Sequence, residues 1–152
     1  ALHRSEDPEE VNRDFMEFLG RGSFLMPYAE EVCRELAQEH QIYILTNSVE
    51  SVHTDRMQRS LIAPYVKESF VYECVGYEKP NKFYFDYVLE HIPGITRDNC
   101  LLIGDSLTSD MQGGINAGLH VCWYNPTCQD VIGTLPVDYI IHDLRELLAI
   151  VR

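Results

Sequence analysis

Short, continuous apolar runs recur along this chain and alternate with segments of helical periodicity. We predict buried β-strands at 41–46, 70–74, 100–103, 120–124 and 139–141. Apolar spacing predicts helices at about 8–19, 28–40, 50–61, 81–91, 107–117 and 143–151. Because the strands are apolar throughout rather than alternating, both faces of their sheet must be covered. The pattern therefore predicts an α/β fold, with a mostly parallel sheet between two layers of helices.

The charge balance limits the classes of partner. Twelve Lys and Arg stand against 24 Asp and Glu, a formal net charge of −12. Nucleic acids are bound through Lys and Arg, so this balance argues against a nucleic-acid polymer as partner. A small phosphorylated ligand remains compatible, because a few local groups or a metal ion can hold it. No apolar run is long enough to predict a membrane span.

Cysteine usage indicates the redox setting. The chain has five cysteines, an odd number, and no two of them form a CxxC pair. Three of them lie inside apolar runs. Cysteines in such runs behave as small buried hydrophobes. We therefore expect reduced thiols and a cytoplasmic protein rather than disulfides or a zinc site.

Polar residues follow the first of these strands. Ligands of parallel sheets bind beyond the carboxyl ends of the strands, and Thr46, Asn47 and Ser48 come directly after Leu45. Their hydroxyl and amide groups can donate hydrogen bonds to an oxyanion. The structural alternative is that Asn47 or Ser48 caps the helix that begins near Glu50.

Two carboxylates follow the third strand. Asp105 lies at its tip and Asp110 lies five residues later, in the first turn of a predicted helix. Carboxylates in this position can supply the hard oxygen ligands that Mg²⁺ prefers, with Asp110 binding directly or orienting a metal-bound water. The alternative is that Asp105 or Ser106 is an N-cap and Asp110 a favourable anion beside the helix start.

A lysine precedes a proline at the entrance of another predicted helix. A single lysine in this position, here Lys79 before Pro80, is ordinarily a solvated surface charge. Directed into a crevice rich in carboxylates, the same ammonium would neutralise a phosphoryl group and the acids around it.

In combination these residues resemble the motifs of the haloacid dehalogenase superfamily of phosphatases. Thr46 is similar to its second motif, Lys79 to its third, and Asp105 with Asp110 to its fourth. The strings ILTNS, GYEKPNKFYFDYVLEHIP and LLIGDSLTSDMQGGINAGLHVCWYNP are most similar to the pyrimidine 5′-nucleotidase branch. The resemblance implies a Rossmann-like core and a Mg²⁺-dependent phosphate monoester hydrolase.

The resemblance also implies a role for each residue. Thr46 and Lys79 are the expected catalytic residues, and they bind the phosphoryl group together with Asn47 and Ser48. Asp105 and Asp110 are the expected Mg²⁺ ligands. Ser48 departs from the pattern, since many relatives have glycine there, and this leaves the exact substrate open. The expected substrate is a small phosphorylated metabolite, with a nucleoside 5′-monophosphate favoured.

One part of the family pattern is missing from this sequence. Family members carry a first motif, DxDxT-like, whose first aspartate becomes an aspartyl phosphate and whose second acts as acid and base. No DxD occurs in this chain. The resemblance therefore implies that residues 1–24 are a remnant of a helical cap and the return to the core. Residues 25–152 would then be a core without its central first strand.

Two hypotheses follow from the missing motif. In the first, the chain belongs to a longer phosphatase, or is completed by another N-terminal segment, and is inactive alone. Two strand edges would then lack a partner, which favours pairing with other chains. In the second, the chain is a naturally truncated, non-catalytic protein of this fold that binds a partner or a metal.

Overall fold

The computed structural model describes residues 9, 12, 16, 22, 24–130 and 135–151. In chain order its elements are α1 (Ala29–Leu36), β1 (Ile42–Thr46), α2 (Glu50–Gln58), β2 (Val66–Val71), α3 (Tyr72–Val75), α4 (Lys82–His91), β3 (Leu101–Gly104), α5 (Gln112–Ala117), β4 (His120–Tyr124), β5 (Tyr139–Ile141) and α6 (Leu147–Ile150). Short 3₁₀ turns cover Ala63–Tyr65 and Leu144–Glu146, and a π-helical turn covers Leu107–Met111. The order confirms the predicted α/β fold.

The strands form two parallel sheets. One contains β1 and β2, and the other has the order β3-β4-β5. Within the part of the chain that is described, no ladder joins β1 to β3. All five residues of β1 are only half-buried although four of them are apolar, and Ile103 of β3 is 38% exposed. The inner edges of the two sheets are thus incompletely covered by the described residues.

Helices pack on both faces of the strands. One apolar cluster includes Val32 of α1 and Leu147 of α6, and Leu101 packs against it. A second cluster, here called the α4 cluster, includes Phe85 and Val88 of α4, and Leu102 packs against that one. Successive strand residues point to opposite faces, so these two clusters lie on opposite sides of the sheet. The α4 cluster also includes Leu45 of β1. Helix α4 therefore spans both sheets and holds them side by side.

The second strand begins and ends earlier than the sequence indicates. The predicted strand at 70–74 is wrong in its bounds, because β2 covers Val66–Val71 and the chain then turns into α3. The first half of β2 contains the exposed residues Lys67 and Glu68, which an outer strand tolerates. The apolar run continues beyond the strand into a helical turn that ends at Gly76, where φ is 82°.

The predicted helices differ mainly at their ends. Helix α1 stops at Leu36 and α2 at Gln58, each before its predicted end. The last predicted helix begins as a 3₁₀ turn, and the Asp143 carboxylate accepts the Arg145 amide in a complete capping box. The predicted helix at 8–19, like the proposed cap remnant, lies almost wholly outside the described residues, of which Glu9, Asn12 and Met16 are helical.

Two further expectations can be compared with the structure. None of the helices described has both the length and the apolar character that a membrane crossing requires. All five cysteines are free thiols. Of the three in apolar runs, Cys122 is buried and Cys100 is half-buried, whereas Cys74 is exposed, so the expected burial is wrong for Cys74. Burial raises the pKa of the Cys122 thiol to about 11, so this cysteine is an inert core residue.

Helix α5 approaches the second sheet closely because it carries a glycine at the contact. A Cβ at Gly114 would lie 2.5 Å from Val121 Cγ1 and 2.7 Å from Leu102 Cδ2. A methyl group does not fit at these distances, so the small residue sets the separation of helix and sheet.

We predict that Gly114→Ala destabilises the protein. Overpacking should outweigh the gain in helix propensity and lower the free energy of unfolding by about 1–2 kcal/mol, as measured by urea denaturation. Ser51→Ala, on the exposed side of α2, is the control and should change it by less than about 0.5 kcal/mol. Equal effects of the two substitutions would contradict the close approach.

Candidate functional site

An ammonium group joins the two sheets at the carboxyl ends of their strands. Lys79 lies in the loop before α4, and its Nζ donates to the Leu45 carbonyl at 2.9 Å and to Asp110 Oδ1 at 2.6 Å. The Lys79 and Asp110 side chains are 11% and 9% exposed. The alternative of a solvated surface charge is therefore wrong for Lys79.

Asp110 lies over the end of β3 with both carboxylate oxygens bonded. Oδ1 accepts from Lys79, and Oδ2 accepts from the Ser106 amide at 3.2 Å. The carboxylate can approach the strand because residue 104 is glycine: a Cβ there would lie 2.5 Å from Asp110 Cβ. Ser106 itself caps the π-helical turn by accepting the Ser109 amide at 3.1 Å. The predicted cap at this position is thus confirmed for Ser106.

Asp105 presents a carboxylate at the tip of β3. Its backbone carbonyl accepts a hydrogen bond from Trp123 Nε1 at 3.0 Å, which fixes the loop to β4. The residue is exposed, and none of the hydrogen bonds or ion pairs among the described residues involves its side chain. Asp105 is therefore available to a ligand.

The donor set at this edge is compatible with Mg²⁺. Among residues 24–130 and 135–151, no cluster of three or more His, Cys, Asp or Glu side chains forms a complete metal site. Mg²⁺ does not require one, because it keeps several waters and binds through one or two carboxylates together with substrate phosphate. Asp105 is free to hold such an ion, and Asp110 lies in the same loop with its carboxylate fixed. The chemistry of the donors fits the ion.

The hydroxyl of Thr46 is oriented by its own loop. Thr46 Oγ1 accepts the Ser48 amide at 3.0 Å, an arrangement that leaves the hydroxyl hydrogen available to donate. A hydroxyl at the carboxyl end of a parallel strand, next to a lysine, is suited to an anionic oxygen.

Asn47 holds the backbone of Lys79. Its Nδ2 donates to the Lys79 carbonyl and its Oδ1 accepts the Lys79 amide, each at 2.9 Å. This reciprocal pair fixes the loop that carries the ammonium. Direct substrate binding by Asn47 and Ser48 stays a prediction, and the amide of Asn47 already has partners.

The alternative that these two residues cap a helix is wrong. Val49 is the N-cap of α2 and provides no side-chain cap. The exposed Glu50 amide instead donates a hydrogen bond to Glu73 Oε2 at 2.7 Å. The residues after β1 are therefore not used to begin the next helix.

Sequence reasoning missed Tyr84. This residue is fully buried in the first turn of α4, and its hydroxyl accepts the Thr46 amide at 3.0 Å and donates to the Phe70 carbonyl at 2.5 Å. Burial raises the pKa of Tyr84, and the nearby Asp110 charge raises it further, although the hydrogen bond from Thr46 opposes the shift. The hydroxyl therefore stays protonated. The one signal in the sequence is a tyrosine five residues after Lys79 in an apolar stretch.

We predict that Asp110→Asn lowers the free energy of unfolding by about 3 kcal/mol, because Lys79 would keep a desolvated charge without its counter-ion. The measurement is chemical denaturation. Asp86→Asn is the matched control, since Asp86 pairs with Lys82 and Arg97 at the surface and should contribute less than about 1 kcal/mol. A loss at Asp110 no greater than at Asp86 would contradict the importance of the buried pair.

Comparisons with known proteins show which family the chain resembles. Residues 76–147 match the HAD-hydrolase-like family model. YfnB of Bacillus subtilis, described as a HAD-hydrolase, is 38% identical over 142 residues, which are 93% of this chain and 60% of YfnB. The pyrimidine 5′-nucleotidase YjjG of Escherichia coli is 30% identical over 141 residues, which are 93% of this chain and 63% of YjjG. Human N-acylneuraminate-9-phosphatase is 29% identical over 132 residues, 84% of this chain and 53% of that protein.

A solved structure shows that the similarity extends to the three-dimensional fold. The crystal structure of YfnB bound to magnesium superposes with a TM-score of 0.91 at 36% identity, covering 99% of this chain and 66% of that one. The chain thus spans about three fifths of the length of YfnB and YjjG. The family model, the identities and the shared fold together show that this chain belongs to the haloacid dehalogenase-like hydrolases.

Proposed function

We propose that this chain forms most of the catalytic core of a Mg²⁺-dependent phosphate monoester hydrolase that acts on nucleoside 5′-monophosphates. The observation that carries the proposal is the Lys79 ammonium, which contacts the end of β1 and Asp110 at one edge of the fold. An anionic phosphoryl group at this edge would meet a fixed positive charge and the oriented hydroxyl of Thr46.

Each residue has a distinct role in the proposed site. The Thr46 hydroxyl donates to a phosphoryl oxygen, and Lys79 pairs with the phosphoryl group and with the carboxylate that attacks it. Asp105 holds Mg²⁺, and Asp110 binds the ion or orients its water while it keeps Lys79 in place. When bound, the ion offsets the repulsion between an anionic substrate and the carboxylates around it.

The attacking carboxylate has to come from outside the residues discussed above. The other aspartates at strand or helix ends have structural partners: Asp138 accepts the Val121 amide at 2.8 Å, and Asp143 caps a 3₁₀ turn. We therefore propose that an additional segment supplies an aspartate that becomes phosphorylated, and that the 152-residue chain alone hydrolyses very little. In this proposal residues 1–24 are the remnant of a helical cap and the return to the core.

The names of relatives support the substrate class. YjjG is a pyrimidine 5′-nucleotidase, which favours a nucleotide, whereas the human relative is named for an N-acylneuraminate 9-phosphate. Both names specify small phosphorylated metabolites. The five free thiols support a cytoplasmic location.

A second candidate is a non-catalytic protein of this fold that binds a metal or a partner. It applies if the natural polypeptide that carries this chain supplies no aspartate to attack the phosphoryl group. The test is release of phosphate from nucleoside monophosphates, with and without Mg²⁺, by the natural polypeptide that carries this chain and by the 152-residue chain. Turnover by the natural polypeptide supports the phosphatase. No turnover and no phosphorylated aspartate support the binding protein.

We predict that Lys79→Ala in the natural polypeptide lowers kcat at least about 100-fold, because a preorganised charge is worth several kcal/mol at a developing anionic centre. Lys67→Ala, which removes an exposed lysine on β2, is the control and should change kcat less than about twofold. Similar losses for the two variants would refute the assignment of the site.

We predict that Asp105→Asn lowers activity and shifts the Mg²⁺ concentration for half-maximal rate upward by about tenfold or more, because a neutral amide is a weaker ligand for a hard cation. The measurement is a magnesium titration of the rate and, separately, of metal binding by calorimetry. An unchanged titration curve with unchanged activity would exclude Asp105 as a ligand.

A further inference from the structure

We propose that Tyr84 is a positioning residue, whose buried hydroxyl sets the position of Thr46 for phosphoryl binding. This inference rests on the proposed function, because it assigns Thr46 to the phosphoryl group. The contact itself is independent of that function: the Thr46 amide donates to the Tyr84 hydroxyl at 3.0 Å.

The hydroxyl couples the carboxyl ends of two strands. Thr46 lies opposite Val71 in the β1–β2 ladder, and Leu45 lies opposite Phe70. The Tyr84 hydroxyl accepts a hydrogen bond from the Thr46 amide and donates one to the Phe70 carbonyl at 2.5 Å. One side chain from α4 therefore bridges the last residues of β1 and β2 with two hydrogen bonds of defined direction.

The ring leaves the hydroxyl little freedom. Tyr84 is 0% exposed, and its ring meets Phe85 edge-on with centroids 5.5 Å apart. A packed aromatic ring in a dense interior cannot swing away without displacing its neighbours. The hydroxyl is therefore a fixed acceptor to which the Thr46 backbone must conform.

The same segment positions both proposed phosphoryl-binding groups. Lys79 enters the site from the loop before α4, and Tyr84 reaches Thr46 from the first turn of that helix. Asn47, the residue after Thr46, bonds the Lys79 backbone in return. Thr46 is thus held by Tyr84 on its amide side and through Asn47 on the other, so its backbone is fixed relative to the loop that carries Lys79.

Loss of the hydroxyl should therefore affect the transition state more than substrate affinity. Tyr84→Phe leaves the Thr46 amide and the Phe70 carbonyl without this partner, so the end of β1 can shift. A displacement near 1 Å in a positioning group can cost on the order of 100-fold in rate. We expect kcat to fall at least tenfold while KM changes less than threefold.

The experiment uses the natural polypeptide with Tyr84→Phe, and Tyr87→Phe as the matched control. Tyr87 is a half-buried tyrosine of the same helix whose ring contacts Phe70 and His91, and no described residue hydrogen-bonds its hydroxyl. Amide exchange followed by NMR should show the Thr46 amide exchanging at least tenfold faster in Tyr84→Phe, with the amides of β4 unchanged. Tyr87→Phe should leave both sets unchanged.

A double-mutant cycle separates positioning from general stability. If Tyr84 acts through Thr46, Tyr84→Phe should add less than a twofold loss of kcat in a Thr46→Ala background. Losses that multiply fully, or a kcat for Tyr84→Phe within twofold of the unmodified protein, would overturn the proposal. Unchanged exchange of the Thr46 amide would overturn it too.

A second variant covers the case in which Tyr84→Phe does not fold. 4-Aminophenylalanine at position 84 keeps the ring size and a group that donates to the Phe70 carbonyl, but it is a poor acceptor for the Thr46 amide because its nitrogen lone pair is delocalised into the ring. The Thr46 amide should therefore exchange at least tenfold faster in this variant, with a matching loss of kcat. Slow exchange of the Thr46 amide in this folded variant would contradict the proposal. If the unmodified polypeptide does not hydrolyse phosphate esters, the proposed function fails, and the exchange data still decide whether Tyr84 fixes Thr46.

Discussion

The arrangement of the site depends on one desolvated cation. The Lys79 ammonium is largely withdrawn from water and has two partners, the Leu45 carbonyl and the Asp110 carboxylate. A buried charge is tolerated only when it is paired and hydrogen-bonded, so both partners have to be in place. Because Leu45 is the penultimate residue of β1 and Asp110 follows β3, this requirement fixes the relative position of two sheets that no ladder connects among the residues described.

Neighbouring residues are adapted to that cation. Gly104 lets Asp110 lie against the strand end, and Asn47 bonds the Lys79 backbone on both its amide and its carbonyl. Tyr84 then fixes the residue that precedes Asn47. The polar groups form one continuous network from β1 through α4 to the loop after β3, and partly satisfied networks of this kind are costly.

Periodicity was sufficient for most of the fold but not for the ends of its elements. The strands at β1, β3, β4 and β5 follow from their apolar runs, since a buried parallel strand needs apolar residues throughout. The same rule misplaced β2, where an outer strand accepts Lys67 and Glu68 and the apolar run extends into a helical turn. An apolar run in the sequence indicates which residues are buried. At the edge of a sheet, the buried residues are not the same residues as those of the strand.

The site was predictable only in part for a related reason. Strand-end position selects Thr46, Lys79 and the two aspartates, because the carboxyl edge of a parallel sheet is defined by chain order. It does not reveal what each polar group bonds. Asn47 bonds the backbone of Lys79, and Tyr84 bonds the backbone of Thr46. These side-chain-to-backbone contacts join residues 32 and 38 positions apart in sequence, which no local spacing specifies.

The inner edges of β1 and β3 have no partner strand within the described part of the chain, and this relates the site to folding. Lys79 contacts the end of β1 and the turn that follows β3, so a parallel strand that paired with these edges would bring its last residues close to the ammonium. Hydrogen bonding along the strand and neutralisation of the charge at its end would then occur in a single step. Completion of the sheet and assembly of the chemical centre would be the same event, and ordering of the site would share the cooperativity of the fold.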